Sequence, residues 1–309
     1  MQQGEKTLIG RRYHAALRRL IRASFSFWER VGIHVTPVHY MHPVPDLREL
    51  KPEIWSQHSE LVGINMNEEV QLGLLAQFTA DYKQEYSQFP RKKTPVAHQY
   101  YVNNGLFESV DGEILYCMVR YFKPARIIEI GSGFSTYAAA QALLMNEKEN
   151  GKRGTLIACE PYPNKTLEAG FPGLAGLIRQ RVEHVPMSQF TTLGKNDILF
   201  IDSSHVIRIG GDVQHEFLEI LPRLQPGVVI HVHDIFLPAE YKRELVVCEH
   251  RFYTEQYLLQ AFLAFNNSFR VLWASSYMHL RHPDKLEAGF ASYDRFRRWP
   301  GSFWMQRVQ

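Results

Sequence analysis

From residue 126 onward, short apolar runs and helix-like stretches alternate, and that alternation constrains the fold of this chain more than any other feature. RIIEI (126–130), TLIACE (155–160), RVEHV (181–185), DILFID (197–202) and GVVIHVHD (227–234) read as buried strands. An Ala-rich helix is expected over 134–145. A second is expected over 212–224, where Val213, Phe217, Ile220 and Leu221 share a face, and a third over 254–265. FRVLWAS (269–275) and SFWMQRV (302–308) read as the last two strands. Apolar strands separated by helices imply a largely parallel sheet covered on both faces, a doubly wound α/β domain.

The sequence before that point has another character. Residues 5–32 are basic and amphipathic: Leu17, Leu20 and Ile21 fall at helical spacing, while Arg11, Arg12, Arg18, Arg19 and Arg22 face elsewhere. A solvated helix packed on the main domain is expected there. The stretch HVTPVHYMHPVPDLRELKP holds four prolines between Pro37 and Pro52, which forbid a continuous helix. Its His34, His39, Tyr40 and His42 match no zinc spacing, and residues 34–48 are read as a lid. Residues 65–89 look helical again, with Asn67 as N-cap and Val70, Leu74, Phe78 and Tyr82 four apart. The expected organisation is a helical N-terminal extension and lid over 1–95 and a catalytic domain over 96–309.

Composition narrows the partners. Thirty-five basic against 32 acidic side chains leave a formal charge of +3, too small an excess to argue for nucleic acid. No apolar run of about 18 residues suggests a membrane span, and no secretory pattern stands at the start. Cys117, Cys159 and Cys248 are far apart and make no disulfide framework. A cytoplasmic protein with a small-molecule acceptor is expected, with no nucleic-acid or membrane partner and with a homo-oligomer left open.

In open α/β sheets ligands sit beyond the carboxyl ends of the strands. The first such turn here is Glu129-Ile130-Gly131-Ser132-Gly133-Phe134-Ser135-Thr136. Gly131 and Gly133 let the backbone turn tightly and approach a ligand with no Cβ in the way. The third glycine of a dinucleotide fingerprint would fall at Thr136, which weakens a pyrophosphate reading. Glu160, ending the second strand, can accept from both hydroxyls of a ribose. Glu129 suits an amine-bearing ligand better than a phosphate. Together they point to adenosine with an amino-acid tail, S-adenosyl-L-methionine.

The segments EIGSGFST, ACE, DILFIDSSH and GVVIHVHDIFLP, in that order, resemble the class I S-adenosylmethionine-dependent methyltransferases, within them a bacterial branch of small-molecule O-methyltransferases. The resemblance spans roughly residues 100–309. It implies a Rossmann-like seven-stranded sheet in the order 3-2-1-4-5-7-6 with the last strand antiparallel. It also implies that Glu129, Gly131, Ser132 and Gly133 line the methionine and ribose, with Ser135 and Asp202 as further cofactor residues. Glu160 would hold the ribose, and Met187 and Ser188 would lie by the adenine.

Two strand ends carry dense polar groups: Asp202-Ser203-Ser204-His205 and His231-Val232-His233-Asp234. His231 is read as a core histidine. His205, His233 and Asp234 are read as catalytic, with His205 or His233 the general base, because imidazole titrates near neutrality. Asp202, His233 and Asp234 resemble the magnesium positions of metal-dependent relatives. Ser204 stands where those relatives often carry an aspartate, so a divalent metal is open but not favoured. Phe236, Leu237, Pro238, Glu240, Tyr241, Phe252, Tyr253 and Tyr257 are expected to border the acceptor. Arg281, Arg295, Arg297 and Arg298 form either an anion contact or a solvated surface. The functional reading is methyl transfer to a small molecule or sugar, at oxygen. A dinucleotide-dependent oxidoreductase and a non-catalytic adenosine-binding module are the alternatives.

Overall fold

The computed structural model describes residues 8–309. The chain divides into two compact units, Met1–Ile54 and Trp55–Gln309. The first contains the helix Leu8–Arg30. The residues before Leu8 in the amphipathic stretch, and the side chains of Arg11 and Arg12, lie outside what is described. Leu17 and Leu20 are exposed on this helix and Ile21 is half-buried. In the same unit His34 stacks on Phe25 with ring centres 5.3 Å apart, and His39 Nδ1 accepts the Met41 N–H at 3.2 Å.

The second unit holds a seven-stranded sheet in the order β3-β2-β1-β4-β5-β7-β6. Its strands are β1 Arg126–Ile130, β2 Thr155–Cys159, β3 Gly176–Ile178, β4 Ile198–Ile201, β5 Val229–Val232, β6 Phe269–Ala274 and β7 Phe303–Arg307. Neighbours pair in parallel except β7, which runs antiparallel to both β5 and β6. The doubly wound topology and its antiparallel last strand are as expected.

Three local readings are corrected. RVEHV (181–185) is not the third strand: β3 is Gly176–Ile178, and Val182–His184 is a 3-10 turn. The apolar alternation of 181–185 comes from Val182 and Val185 packing into the core beneath that turn. Asn67 stands at the N-cap position of its helix, Glu68–Tyr86, as expected, but its side chain makes no capping bond. Its backbone is left-handed at φ 48°, and its side-chain amide donates to the Val271 carbonyl across the fold. The expected 212–224 helix changes pitch, with an α-turn at Asp212–His215, a π-turn at Glu216–Ile220 and a 3-10 turn at Leu221–Arg223.

The sequence reading also missed a helix, Asp111–Phe122, ten of whose residues are buried. Among the described residues the core runs from Leu61 to Met305 without one from the first unit, and the helix Glu68–Tyr86 contributes Leu74, Leu75 and Phe78 to it.

Candidate active site

Strand register sets the site. Ile130 pairs with Cys159 and with Ile201, and Ile201 pairs with Val232. The residues that follow, Gly131, Glu160, Asp202 and His233, therefore leave the sheet side by side along one carboxyl edge. The ladder continues one step into them: Gly131 N–H donates to Cys159 O at 3.0 Å, Asp202 N–H to Ile130 O at 2.8 Å and His233 N–H to Ile201 O at 3.0 Å.

At the glycine turn, Gly131 has φ +78° and its missing Cβ would stand 1.8 Å from the Asp202 carbonyl oxygen. The glycine is thus required by the neighbouring strand, not by space for a ligand. At Gly133 a Cβ would meet nothing within 4 Å. Thr136, in the place of the third glycine, accepts the Gly133 N–H on its hydroxyl at 3.0 Å and so closes the first turn of the helix Phe134–Asn150. Glu160 accepts the Ser132 N–H at 3.2 Å and the Tyr162 N–H at 2.8 Å. Ser135 Oγ donates to Glu129 Oε1 at 2.6 Å. Glu129 is buried, and its Oε2 and the Ser132 hydroxyl have no hydrogen-bond partner. Burial pushes the Glu129 carboxyl up to about 8, against the pull of Ser135.

A cavity of about 260 Å³ opens on this turn, walled by Gly131, Glu160, Tyr162, Val182, Asp202 and Asp212 among others. Arg181, Val182 and Glu183 follow β3 and line it. Met187 and Ser188 lie further along the chain and are not on its walls, because the strand before them ends earlier than the sequence suggested.

Beside the cavity, acids and imidazoles alternate in a chain of five. Glu255 Oε2 lies 2.8 Å from His205 Nδ1, and His205 Nε2 lies 3.2 Å from Asp202 Oδ1. The same Asp202 oxygen is 3.5 Å from His233 Nδ1, and His233 Nε2 is 3.6 Å from Asp111 Oδ2. Asp234 flanks both rings, at 3.6 Å from His205 and 3.9 Å from His233. Both histidines are 6% exposed. Burial opposes their charge, but hydrogen bonds from His205 to Asp202 and Glu255 outweigh it. For His233 the Asp202 charge and the Asp111 hydrogen bond do the same, and both rings titrate well above the ordinary imidazole range. Asp202 and Asp111 are correspondingly held below the usual carboxylate range despite their burial. His205 and Asp234 both have left-handed backbones, φ 60° and 52°. Such conformations cost roughly 1–3 kcal/mol each and persist where the surroundings enforce them.

His231 is the core residue it was read to be. It is fully buried, bonded to Ser302 Oγ at 2.9 Å and stacked on Phe200 at 3.9 Å between ring centres. Burial and the neighbouring His233 charge press it well below the imidazole range, so it stays neutral. Ser203 and Ser204 are occupied by Glu216 and Asp212 at 3.0 and 2.6 Å. Of the expected acceptor wall, Tyr253 reaches His205, with ring centres 4.7 Å apart, whereas Phe236, Leu237 and Tyr241 are buried in the core. The arginines are mostly matched: Arg295 binds Asp284 and Glu287, Arg298 binds Glu108 and Asn103, and Arg297 faces Asp294.

Asp111 and Glu255 went unmarked in the sequence. Asp111 lies on the missed helix and Glu255 opens the helix Glu255–Leu263, where a first-turn acid is unremarkable. The acids of this cluster are turned onto the imidazoles rather than onto a shared point. Among the described residues no group of three His, Cys, Asp or Glu side chains is arranged to hold a metal ion. No helix among them is long and apolar enough to cross a membrane.

A family model described as a methyltransferase domain matches residues 128–235, from within β1 to just past β5. An uncharacterized protein of Archaeoglobus fulgidus is 33% identical over 177 residues, which are 54% of this chain and 77% of that protein. A crystal structure of a putative protein-L-isoaspartate O-methyltransferase from Plasmodium falciparum, in complex with S-adenosyl-L-homocysteine, is 15% identical. It covers 55% of this chain and 84% of its own, with a TM-score of 0.29. The chain belongs to one family with the archaeal protein, and its residues 128–235 match the methyltransferase-domain model.

Proposed function

We propose that this protein is a class I methyltransferase that uses S-adenosyl-L-methionine to methylate a hydroxyl of a small molecule or sugar. The observation that carries the reading is the pair of carboxylates on either side of the Gly131-Ser132-Gly133 turn. Glu160 stands at the cavity with its oxygens on backbone N–H groups, placed for ribose hydroxyls. Glu129 has a buried oxygen with no partner, which suits the ammonium of an amino-acid tail. These residues fit the cofactor, which when bound supplies an electrophilic methyl group.

The chain's own work is to bind, orient and handle a proton. In its neutral form, reached only above its raised titration range, His205 beside the cavity edge takes the acceptor hydroxyl's proton on Nε2, and Asp202 and Asp234 stabilise the imidazolium that results. His233, between Asp202 and Asp111, holds Asp202 in place. A removed general base of this kind typically costs about 10²–10⁴-fold in rate. Thr136, bonded to the Gly133 N–H, favours this reading over a dinucleotide site at the same turn.

Calorimetry tests it. S-Adenosyl-L-methionine is expected to bind at about micromolar Kd, roughly −8 kcal/mol. Glu160→Ala should weaken it by about 1–3 kcal/mol through lost charge-assisted hydrogen bonds. Binding of NAD with none of S-adenosyl-L-methionine overturns the assignment.

A further inference from the structure

We propose that Glu255 is the positioning residue for His205: it fixes the ring's Nδ1–H so that the neutral form presents its Nε2 lone pair between Asp202 and Asp234. The inference rests on the methyltransferase reading for its purpose, but not for its geometry.

Glu255 grips His205 at two points. Its side chain meets Nδ1 at 2.8 Å, and its backbone N–H donates to the His205 carbonyl at 3.1 Å, next to the Thr254 N–H at 2.9 Å. Together these hold a residue whose backbone is left-handed. The carboxylate is fully buried, and its second oxygen has no hydrogen-bond partner, so nothing competes with the imidazole for it. A buried acid with one partner is strongly committed to that partner.

The consequence for the ring follows from hydrogen-bond inventory. As imidazolium, His205 donates from both nitrogens, to Glu255 and to Asp202. On losing one proton it keeps the N–H that faces the better buried acceptor, which is Nδ1–H on Glu255. Nε2 is then the basic atom, and it is the one on the side of Asp202, which borders the cavity. Without Glu255 the ring is free to keep Nε2–H on Asp202 and point its lone pair into the protein. The charged and titratable groups facing the ring are Asp202 after β4, Asp234 after β5, Glu255 and the Tyr253 ring on the 253–263 segment. Glu216 acts from the π-turn beyond.

The experiment is nitrogen-detected NMR of ring-labelled histidine in the full chain, with His205→Gln assigning the signal. In the native protein, raising the pH should strip Nε2 first and leave Nδ1–H in place. A neutral His205 carrying Nε2–H overturns the proposal outright, with no variant needed. In Glu255→Gln the titration midpoint should fall by about one to three pH units, as expected for losing an adjacent opposite charge, and Glu255→Asp should restore part of it. An unchanged midpoint in Glu255→Gln also overturns it. Calorimetry with S-adenosyl-L-homocysteine separates the two levels: native and Glu255→Gln protein should bind within about threefold of each other. Failure of the native protein to bind removes the methyltransferase reading while the ring measurement stands.

Discussion

Asp111, opening the helix Asp111–Phe122, and His233, just past β5, meet at 3.6 Å, Oδ2 to Nε2, although 122 residues separate them. The same carboxylate accepts the Gly301 N–H at 2.8 Å and the Ser302 N–H at 3.0 Å. One buried acid thus ties the helix Asp111–Phe122, the end of β5 and the start of β7 together. Asp111→Ala should cost about 3–5 kcal/mol, the usual penalty for leaving one partner of a buried ion pair alone. The pH dependence has a definite sign. His233 is raised in the folded protein, so the pair's stability is fully present below the unfolded imidazole value near 6.5 and is lost as pH rises through the raised value. In urea melts the deficit of Asp111→Asn should be largest in mildly acid buffer and shrink at alkaline pH. A deficit that grows with pH contradicts this assignment.

Gly131 and Gly133 look alike in the sequence and differ in the structure. A Cβ at Gly131 would run into the Asp202 carbonyl in a left-handed backbone, whereas one at Gly133 meets open space. Gly131→Ala should therefore lower the melting temperature sharply or yield insoluble protein. Gly133→Ala should leave the melt nearly unchanged and weaken cofactor binding instead. Equal melting temperatures for the two variants would falsify the distinction.

Much of this was legible in advance. The strands that carry the site announced themselves because a buried parallel strand is nearly all apolar, so polar residues at the ends of β4 and β5 stood out against it. What periodicity could not show was which distant acids would meet those ends. Asp111 belongs to a helix covered on all sides, and Glu255 reaches His205 across 50 residues. The third strand was displaced because Val182 and Val185 are as buried as strand residues while sitting on a 3-10 turn. Burial alone does not say which backbone produced it.

Glu129 supplies a proton-counting prediction. Its carboxyl titrates at about 8, so near pH 7 it is mostly protonated in the free protein. An ammonium placed against its unpartnered oxygen favours the carboxylate, so binding releases a proton. Calorimetry of S-adenosyl-L-methionine binding at pH 7, in buffers of different ionisation enthalpy, should then show a release that Glu129→Gln abolishes. At pH 9, where Glu129 is already ionised, native protein and variant should no longer differ in proton release. An identical buffer dependence in both proteins at pH 7 removes Glu129 from the amine site.

The last prediction concerns the first unit. None of its described residues belongs to the core, which begins at Leu61, and the residues assigned to the cofactor lie in the second unit. Deleting residues 1–54 should therefore shift the melting temperature by only a few degrees, the equivalent of about 1 kcal/mol in a domain this size. S-Adenosyl-L-methionine affinity should stay within a few-fold. A sharply lowered melting temperature, or loss of cofactor binding, shows that residues 1–54 support the fold of the second unit instead.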